Sequence, residues 1–430
     1  MLRISTHLLC AVAGAALALM AGDPRLLDIG AQARSAKNAT YQALNLFGDV
    51  FERIRADYVE KPSDEKLIAA AIEGMLAELD PRSTYLDAAK YRDMQTQTAG
   101  TFGGVGLEVK MDGGLVKVVW PIEGGPAGRA GVRTNDVIVA LDDAPVQGLT
   151  LNQAVEKMRG PLNTPIRLRI QRSGEDRPIE LTIYREVITL RPVSYRVEDD
   201  VGYIRVRQFN ERTTDGVKDA LGFLAARIPA DRLKGYVLDL RNNSGGLLDQ
   251  AISVSDVFLE SGEILSTRGR AADETQRFSA RPGDLAYGKP LVVLVNHGSA
   301  AATEAVAAAL QYHRRAIVVG SRSFGRGSIQ TMIPLGEGRG MLRLTTAHMF
   351  TPGGNPIEGV GITPDVEVLQ KAPLGSDAEV TSQVASCGGD QYEEQAATAY
   401  VPTDPDDDKA LQTAFGLLRG GARPATEQHR

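Results

Sequence analysis

The chain has 430 residues, a formal net charge of −6 and 43% apolar residues, with no basic cluster. That length predicts roughly two to four domains, and the charge argues against a nucleic-acid binder. With only Cys10 and Cys387, and five scattered histidines (His7, His297, His313, His348, His429), the sequence offers neither a disulfide framework nor a metal-ligand set.

Arg3 and His7 precede an apolar run over residues 8–21, which has signal-peptide length and is short for a membrane span. Ala16-Leu17-Ala18 has the small-x-small form of a cleavage site but lies inside that run. Residues 1–22 therefore read as a signal peptide or an uncleaved anchor, the alternative being a buried helix. The remainder is expected to be exported, either periplasmic or anchored to the outer side of the cytoplasmic membrane. Contact with a membrane is expected only through an uncleaved N-terminal segment.

Residues 38–98 follow as a helical region. Phe47, Val50, Phe51, Ile54 and Tyr58 recur at helical spacing, residues 67–79 form a second amphipathic stretch, and Asp80-Pro81 ends it. Composition then changes to a glycine-rich, β-like unit over 99–187. Strands are expected at 115–120, 136–141 and 166–171, with a helix at 150–159 capped by Thr150. From 188 to 370 strands and helices alternate: strand 201–209, helix 215–227, strand 235–240, helix 247–258, strand 291–295, helix 302–314, strand 316–320 and strand 341–351. Such alternation indicates an α/β layer architecture. Residues 371–430 read as a polar C-terminal tail with one weak helix at 409–418.

Four segments carry chemistry. Phe102-Gly103-Gly104-Val105-Gly106-Leu107 can leave N–H groups pointing into a nest that suits a carboxylate, beside a sheet edge able to take an extended peptide. Asp239-Leu240-Arg241-Asn242-Asn243-Ser244-Gly245-Gly246 runs from a buried strand through paired glycines into a helix. The N–H groups of Gly245 and Gly246 are candidate oxyanion donors, since no side chain blocks approach. Gly298-Ser299-Ala300-Ala301-Ala302-Thr303-Glu304 turns from a strand into an alanine-rich helix. Phe324-Gly325-Arg326-Gly327 is a tight loop aiming a basic side chain, with Gln330 just beyond.

With Gly124-Gly125-Pro126-Ala127 and Asn135-Asp136-Val137-Ile138, the glycine-rich unit resembles a PDZ domain. In their order the segments resemble the carboxyl-terminal processing peptidases, or tail-specific proteases, over about residues 44–368. The resemblance implies a multidomain α/β protein: helical N-terminal segments, a β-rich PDZ domain with helices, and an α/β peptidase-like core. In that family a serine–lysine dyad, supported by a glutamine, cleaves exported proteins near nonpolar C-termini. The family pattern Gly-Ser-Ala-Ser-Ala-Ser-Glu places the nucleophile at position 301, which here is Ala301. The lysine of Phe-Gly-Lys-Gly falls on Arg326, and only Gln330 matches.

A methyl group cannot attack a carbonyl, and a guanidinium keeps its proton at any working pH. The expectation is a pseudopeptidase that binds protein or peptide C-termini in an adaptor or regulatory role, with an active peptidase or another regulatory protein as further partner. Peptide binding is expected at Gly104, Val105, Gly106 and Leu107, and on the helix at Ala154, Val155 and Met158. The alternative is an active serine endopeptidase with a displaced nucleophile, Ser299, assisted by His297 or His348. Ser299 is otherwise expected to cap the helix. No cofactor or metal is expected under either reading.

Overall fold

A computed structural model describes residues 24–370 and 399–420, apart from 123, 176, 190, 337, 338 and 403. The export segment expected at 1–22 lies outside the described residues. Among the described residues no helix is long and apolar enough to cross a membrane. The chain divides into two compact units, residues 1–78 and 79–430.

In the first unit, helix α1 spans Pro24–Asp57 and α2 spans Asp64–Ala77. Ser63 caps α2, its Oγ accepting the Lys66 N–H, and Asp64 and Glu65 set negative charge beside the first-turn N–H groups. The helical region expected at 38–98 is thus cut at Glu78. The segment after it belongs to the second unit because β1 (Thr84–Leu86) pairs antiparallel with a strand far along the chain, Thr84 opposite Arg343. Helix α3 (Ala88–Ala99) follows.

The β-rich region opens and closes on one ribbon, β2 (Thr101–Gly104) against β9 (Glu186–Thr189). Between them lie β3 (Leu107–Asp112), β4 (Leu115–Pro121), the single turn α4 (Pro126–Arg129), β5 (Val137–Leu141) and β6 (Ala144–Pro145). Helix α5 (Leu151–Met158), β7 (Pro165–Gln171) and β8 (Ile179–Tyr184) complete it. The sheet order is β3-β4-β5-β7-β8, with β6 beside β5, so β3 is an edge strand. Thr150 caps α5 as expected: its Oγ1 accepts the Gln153 N–H at 3.2 Å, and Gln153 Oε1 accepts the Thr150 N–H at 2.9 Å.

Asp136, 1% exposed, anchors this region. Arg172 donates to it twice, Nε to Oδ1 at 2.8 Å and Nη2 to Oδ2 at 2.9 Å, and the Arg133 N–H donates to Oδ2. Burial alone would raise this carboxyl's pKa, but the hydrogen bonds from Arg172 and Arg133 hold it below the ordinary value of 3.8. Its stabilisation is therefore complete above that ordinary value and is lost as pH falls through the lower folded one. Asp136→Ala is expected to lower stability, because the Arg133 N–H and Arg172 Nε lose their acceptor while Arg172 Nη2 keeps only Gly131 O. Urea unfolding of the variant beside the native chain, at neutral pH and again at pH 3, measures both the loss and its shrinkage in acid.

The α/β core has a six-stranded sheet in the order β10 (Val193–Glu198), β11 (Val201–Val206), β12 (Gly235–Asp239), β15 (Leu291–Val295), β16 (Ile317–Gly320) and β19 (Val366–Glu367). All neighbours are parallel except β10 with β11. Its central strands are apolar on both faces because both are covered. Tyr236, Leu238, Leu291, Val293 and Val295 meet α6 (Thr213–Arg227), α7 (Leu248–Phe258) and α8 (Ala302–Tyr312). Val237, Val292 and Leu294 point the other way, onto α9 (Lys409–Gly420).

That last contact corrects the expected polar tail. Ala410, Leu411, Ala414, Phe415 and Leu418 lie on one face of α9 and are buried against the sheet. The polar composition of residues 371–430 as a whole hides this stripe.

A second, antiparallel sheet orders β1, β18 (Met341–Phe350), β13 (Glu263–Arg268) and β14 (Gln276–Ser279), with β17 (Ser328–Pro334) also on β18. In these two sheets the sequence reading missed β1, β10, β13, β14, β17 and β19. It gave Gln330 no element of its own; Gln330 sits on β17 opposite Thr345.

Candidate active site

Strand β15 delivers the chain to a turn that enters α8 at Ala301. Ala301 adopts φ 54°, ψ −119°, a left-handed geometry uncommon for a residue with a β-carbon. Two loops hold the turn from either side. From the β12 side, Asn243 O accepts the Ala300 N–H at 3.0 Å and Thr303 Oγ1 at 2.9 Å. From the β16 side, the Phe324 N–H donates to Ser299 O at 3.0 Å.

Glu304, fully buried one turn into α8, ties the turn to the arginine loop. One of its oxygens accepts Ser323 Oγ–H at 2.5 Å and the Gly325 N–H at 2.7 Å. The other accepts the N–H groups of both Ala301 and Arg326 at 2.8 Å. Positions 301 and 326 thus converge on one carboxylate oxygen. Burial pushes the Glu304 carboxyl above its ordinary pKa, and these four donors pull it part of the way back. Sequence reasoning missed this residue. The available signal was a glutamate in the first turn of an alanine-rich helix, where a carboxylate reaches back to the helix start.

The Arg326 guanidinium carbon lies 5.1 Å from the Phe324 ring centroid, a cation–π contact. The neighbouring Gly327 N–H donates to Glu358 Oε2 at 2.7 Å, and Arg82 Nη1 reaches Glu358 Oε1 at 2.8 Å. Gln330 Nε2 donates to Ser328 Oγ at 2.8 Å and Thr345 Oγ1 at 3.1 Å. Thr345 Oγ1 in turn donates to Asp80 Oδ1 at 3.2 Å. Asp80, read from the sequence only as part of a helix stop, therefore holds Thr345, the partner of Gln330 on the neighbouring strand β18.

Gly245 approaches the Ala301 turn so closely that a β-carbon on it would lie 2.9 Å from the Ala301 methyl and 2.9 Å from Ala300 O. The pair Gly245 and Gly246 does not present two free donors, however. The Gly245 N–H is engaged by Asn243 Oδ1 at 2.9 Å. Gly246 forms a parallel bridge with Phe209 through the Gly245 C=O and the Leu247 N–H, which turns its own N–H to the other side.

Ser299 is fully buried. Its Oγ donates to Leu240 O at 2.9 Å and accepts the Asn296 N–H at 3.0 Å, so it pins the β12 and β15 ends together rather than capping α8. His297 packs at a tilt against Phe324, with ring centroids 5.4 Å apart. Burial, reinforced by Arg322, holds its pKa below the usual imidazole value. His348 is exposed on β18 opposite Ser328. Neither histidine is a hydrogen-bond partner of Ser299 among the described residues.

In the β-rich region, Val105 O accepts the Ala127 N–H and Gly106 O accepts the Ile122 N–H, both at 2.9 Å. Because C=O and the following N–H point opposite ways across a trans peptide, the Gly106 and Leu107 N–H groups face away from that segment. Gly104 pairs with Glu186 in the ribbon. On α5, Ala154 and Met158 are core residues, 0% and 4% exposed, so the helix cannot offer them to a groove as expected. Val155 is only partly buried, as are Leu107, Val109 and Met111 on edge strand β3.

Three known families match along the chain: the activating protease CtpB N-terminal domain at residues 21–90, the PDZ domain at 117–172 and peptidase family S41 at 200–368. A carboxy-terminal-processing protease of Bartonella bacilliformis is 51% identical over 392 residues, covering 89% of each chain. This chain belongs to the carboxyl-terminal-processing protease family. A Synechocystis carboxyl-terminal-processing protease is 39% identical over 338 residues, covering 76% of this chain and 77% of the relative. A solved putative S41 protease from Bacteroides fragilis superposes with TM-score 0.50 at 16% identity, covering 85% of this chain and 92% of that one, and so shares the fold. Within this family's frame, the β-rich region around the matched residues 117–172 is the PDZ domain, and the six-stranded sheet with its helices is the peptidase-like core.

Proposed function

We propose that this family member is an exported pseudopeptidase that captures protein C-termini in an adaptor or regulatory role. One observation carries the reading: where two backbone N–H groups converge on Glu304, the side chains supplied are the methyl of Ala301 and the guanidinium of Arg326. A methyl has no lone pair to attack with, and a guanidinium cannot take a proton from anything. The displaced-nucleophile alternative draws no support from Ser299, whose hydroxyl is committed to Leu240 O and the Asn296 N–H. The deciding measurement is turnover of an unstructured protein with an apolar C-terminus, native chain beside a dyad-restored variant.

Capture requires only the PDZ groove. An extended peptide adds to edge strand β3, its carboxylate held by the Gly106 and Leu107 N–H groups and its last side chain set against Leu107 and Val155. Trp120, the sole tryptophan, is 44% exposed and pairs with Glu108 on β3, which makes its fluorescence a local reporter. Amidating a peptide's C-terminus removes charge-assisted hydrogen bonds and is expected to weaken binding about tenfold or more. Equal titration curves for the free acid and the amide would rule out this mode.

A further inference from the structure

The S41 match ends at residue 368, yet the chain returns at Ala399 to touch the loop that flanks the Ala301 turn. Asn242, at φ 55°, makes a reciprocal pair with it: Nδ2 donates to Ala399 O at 2.8 Å, and Oδ1 accepts the Ala399 N–H at 2.9 Å. One residue earlier, Arg241 is clasped between two acids. Its Nε and Nη2 donate to Asp239 at 2.9 and 2.6 Å, and its Nη1 donates to Asp408 Oδ1 at 2.8 Å. The three side chains are 5%, 0% and 3% exposed, and Tyr203 O–H completes the cluster on Asp239 Oδ2 at 2.7 Å. Asp408 also accepts the Leu411 N–H at 3.1 Å at the start of α9, so one carboxylate fixes both a helix end and the loop.

We propose that residues 399–420 are a positioning element for the loop 241–246, with Asp408 acting through Arg241 and Ala399 acting through Asn242. The path onward is short. Asn243 O holds Ala300 and Thr303, and its side chain fixes the Gly245 N–H, so the loop sets the wall against which the Ala301 turn rests. A buried guanidinium satisfied by two carboxylates has one geometry. Without the Asp408 charge the guanidinium is held by Asp239 alone, and Asn242 after it is left to its bonds with Asn296 and Ala399.

Asp408→Asn tests the charge alone, because an amide oxygen in the place of Oδ1 can still accept both the Leu411 N–H and Arg241 Nη1 while the negative charge opposite Arg241 is gone. Amide hydrogen exchange on the full chain is expected to quicken on the order of tenfold at residues 243–246 and to stay unchanged in β12 and β15. Unchanged exchange in the loop overturns the proposal. So does loss of protection spread through the whole sheet, which would make Asp408 merely a fold-wide support. If Asp408→Asn does not fold, Ala399→Pro removes the N–H given to Asn242 while keeping the C=O that accepts its Nδ2, and the same local quickening, smaller in size, is expected. In the Ala301→Ser/Arg326→Lys background, Asp408→Asn is expected to lower kcat by up to about 100-fold with KM little changed, as misplacement of a wall does. Equal losses in kcat and KM count against positioning. This second readout rests on the pseudopeptidase reading; if the restored variant is inactive, that reading fails while the exchange result still decides this one.

Discussion

The double substitution Ala301→Ser/Arg326→Lys is expected to raise turnover of an apolar-ended, unstructured substrate by at least ~1,000-fold over the native chain. Removing a nucleophile alone typically costs on the order of a million-fold, which leaves room for imperfect restoration. The seat is in place: Ala301 already holds its left-handed backbone, and Glu304 already fixes the N–H groups of both positions. Ala301→Ser alone is expected to do little, since Arg326 cannot accept the hydroxyl proton. Arg326→Lys alone is expected to do nothing, since no hydroxyl is present. Restoration will fall short of the family's full rate if Gln330 keeps its present partners, Ser328 and Thr345, instead of supporting the new lysine. A native chain that cleaves as fast as the double variant would refute the pseudopeptidase reading.

Glu304→Gln is the second large effect, read in stability. The carboxylate accepts from four donors, two on each oxygen. An amide has a single acceptor oxygen, so whichever way it turns, its NH2 faces two donors. With Ser323 free to rotate its hydroxyl and the backbone N–H groups fixed, the better orientation gives the oxygen to Ala301 and Arg326 and strands Gly325. A single stranded buried N–H, together with the clash, costs roughly 3 kcal/mol. Thermal unfolding should register this as a lower midpoint, accompanied by proteolytic nicking near residues 323–327. An unchanged midpoint would mean that Glu304 does not clamp the two loops.

Much of the architecture was legible because the core strands obey simple rules. Residues 291–295 are apolar throughout, as a strand covered on both faces must be, and Thr150 as a cap announced α5. The glycine-rich loops were legible through resemblance, and the substitutions at 301 and 326 were visible without coordinates. What escaped depends on tertiary pairing. Gln330 lies in a strand that its local sequence, flanked by glycines and serine, does not declare; its partner Thr345 is fifteen residues on. Ala154 and Met158 share a helix face with Val155's neighbours, and only packing separates those turned to the core from those turned to a groove. The Gly245 N–H seemed available because a glycine pair says nothing of Asn243, whose side chain curls back to take it. Pairings across long separations, such as Asp80 with Thr345, leave no periodic trace at all.

The bond between Arg241 and Asp408 joins residues 167 positions apart, and its second partner lies within thirteen residues of the last described one. A chain made from its N-terminus therefore has its PDZ domain, with every strand local to residues 101–189, long before it has a finished cleft. Until α9 emerges, Arg241 holds only one of its two acids and the face of Val237, Val292 and Leu294 stays uncovered. The order of synthesis thus separates two events in time: the PDZ sheet can pair early, and the loop beside the Ala301 turn gains its second acid only after residues 399–420 have followed.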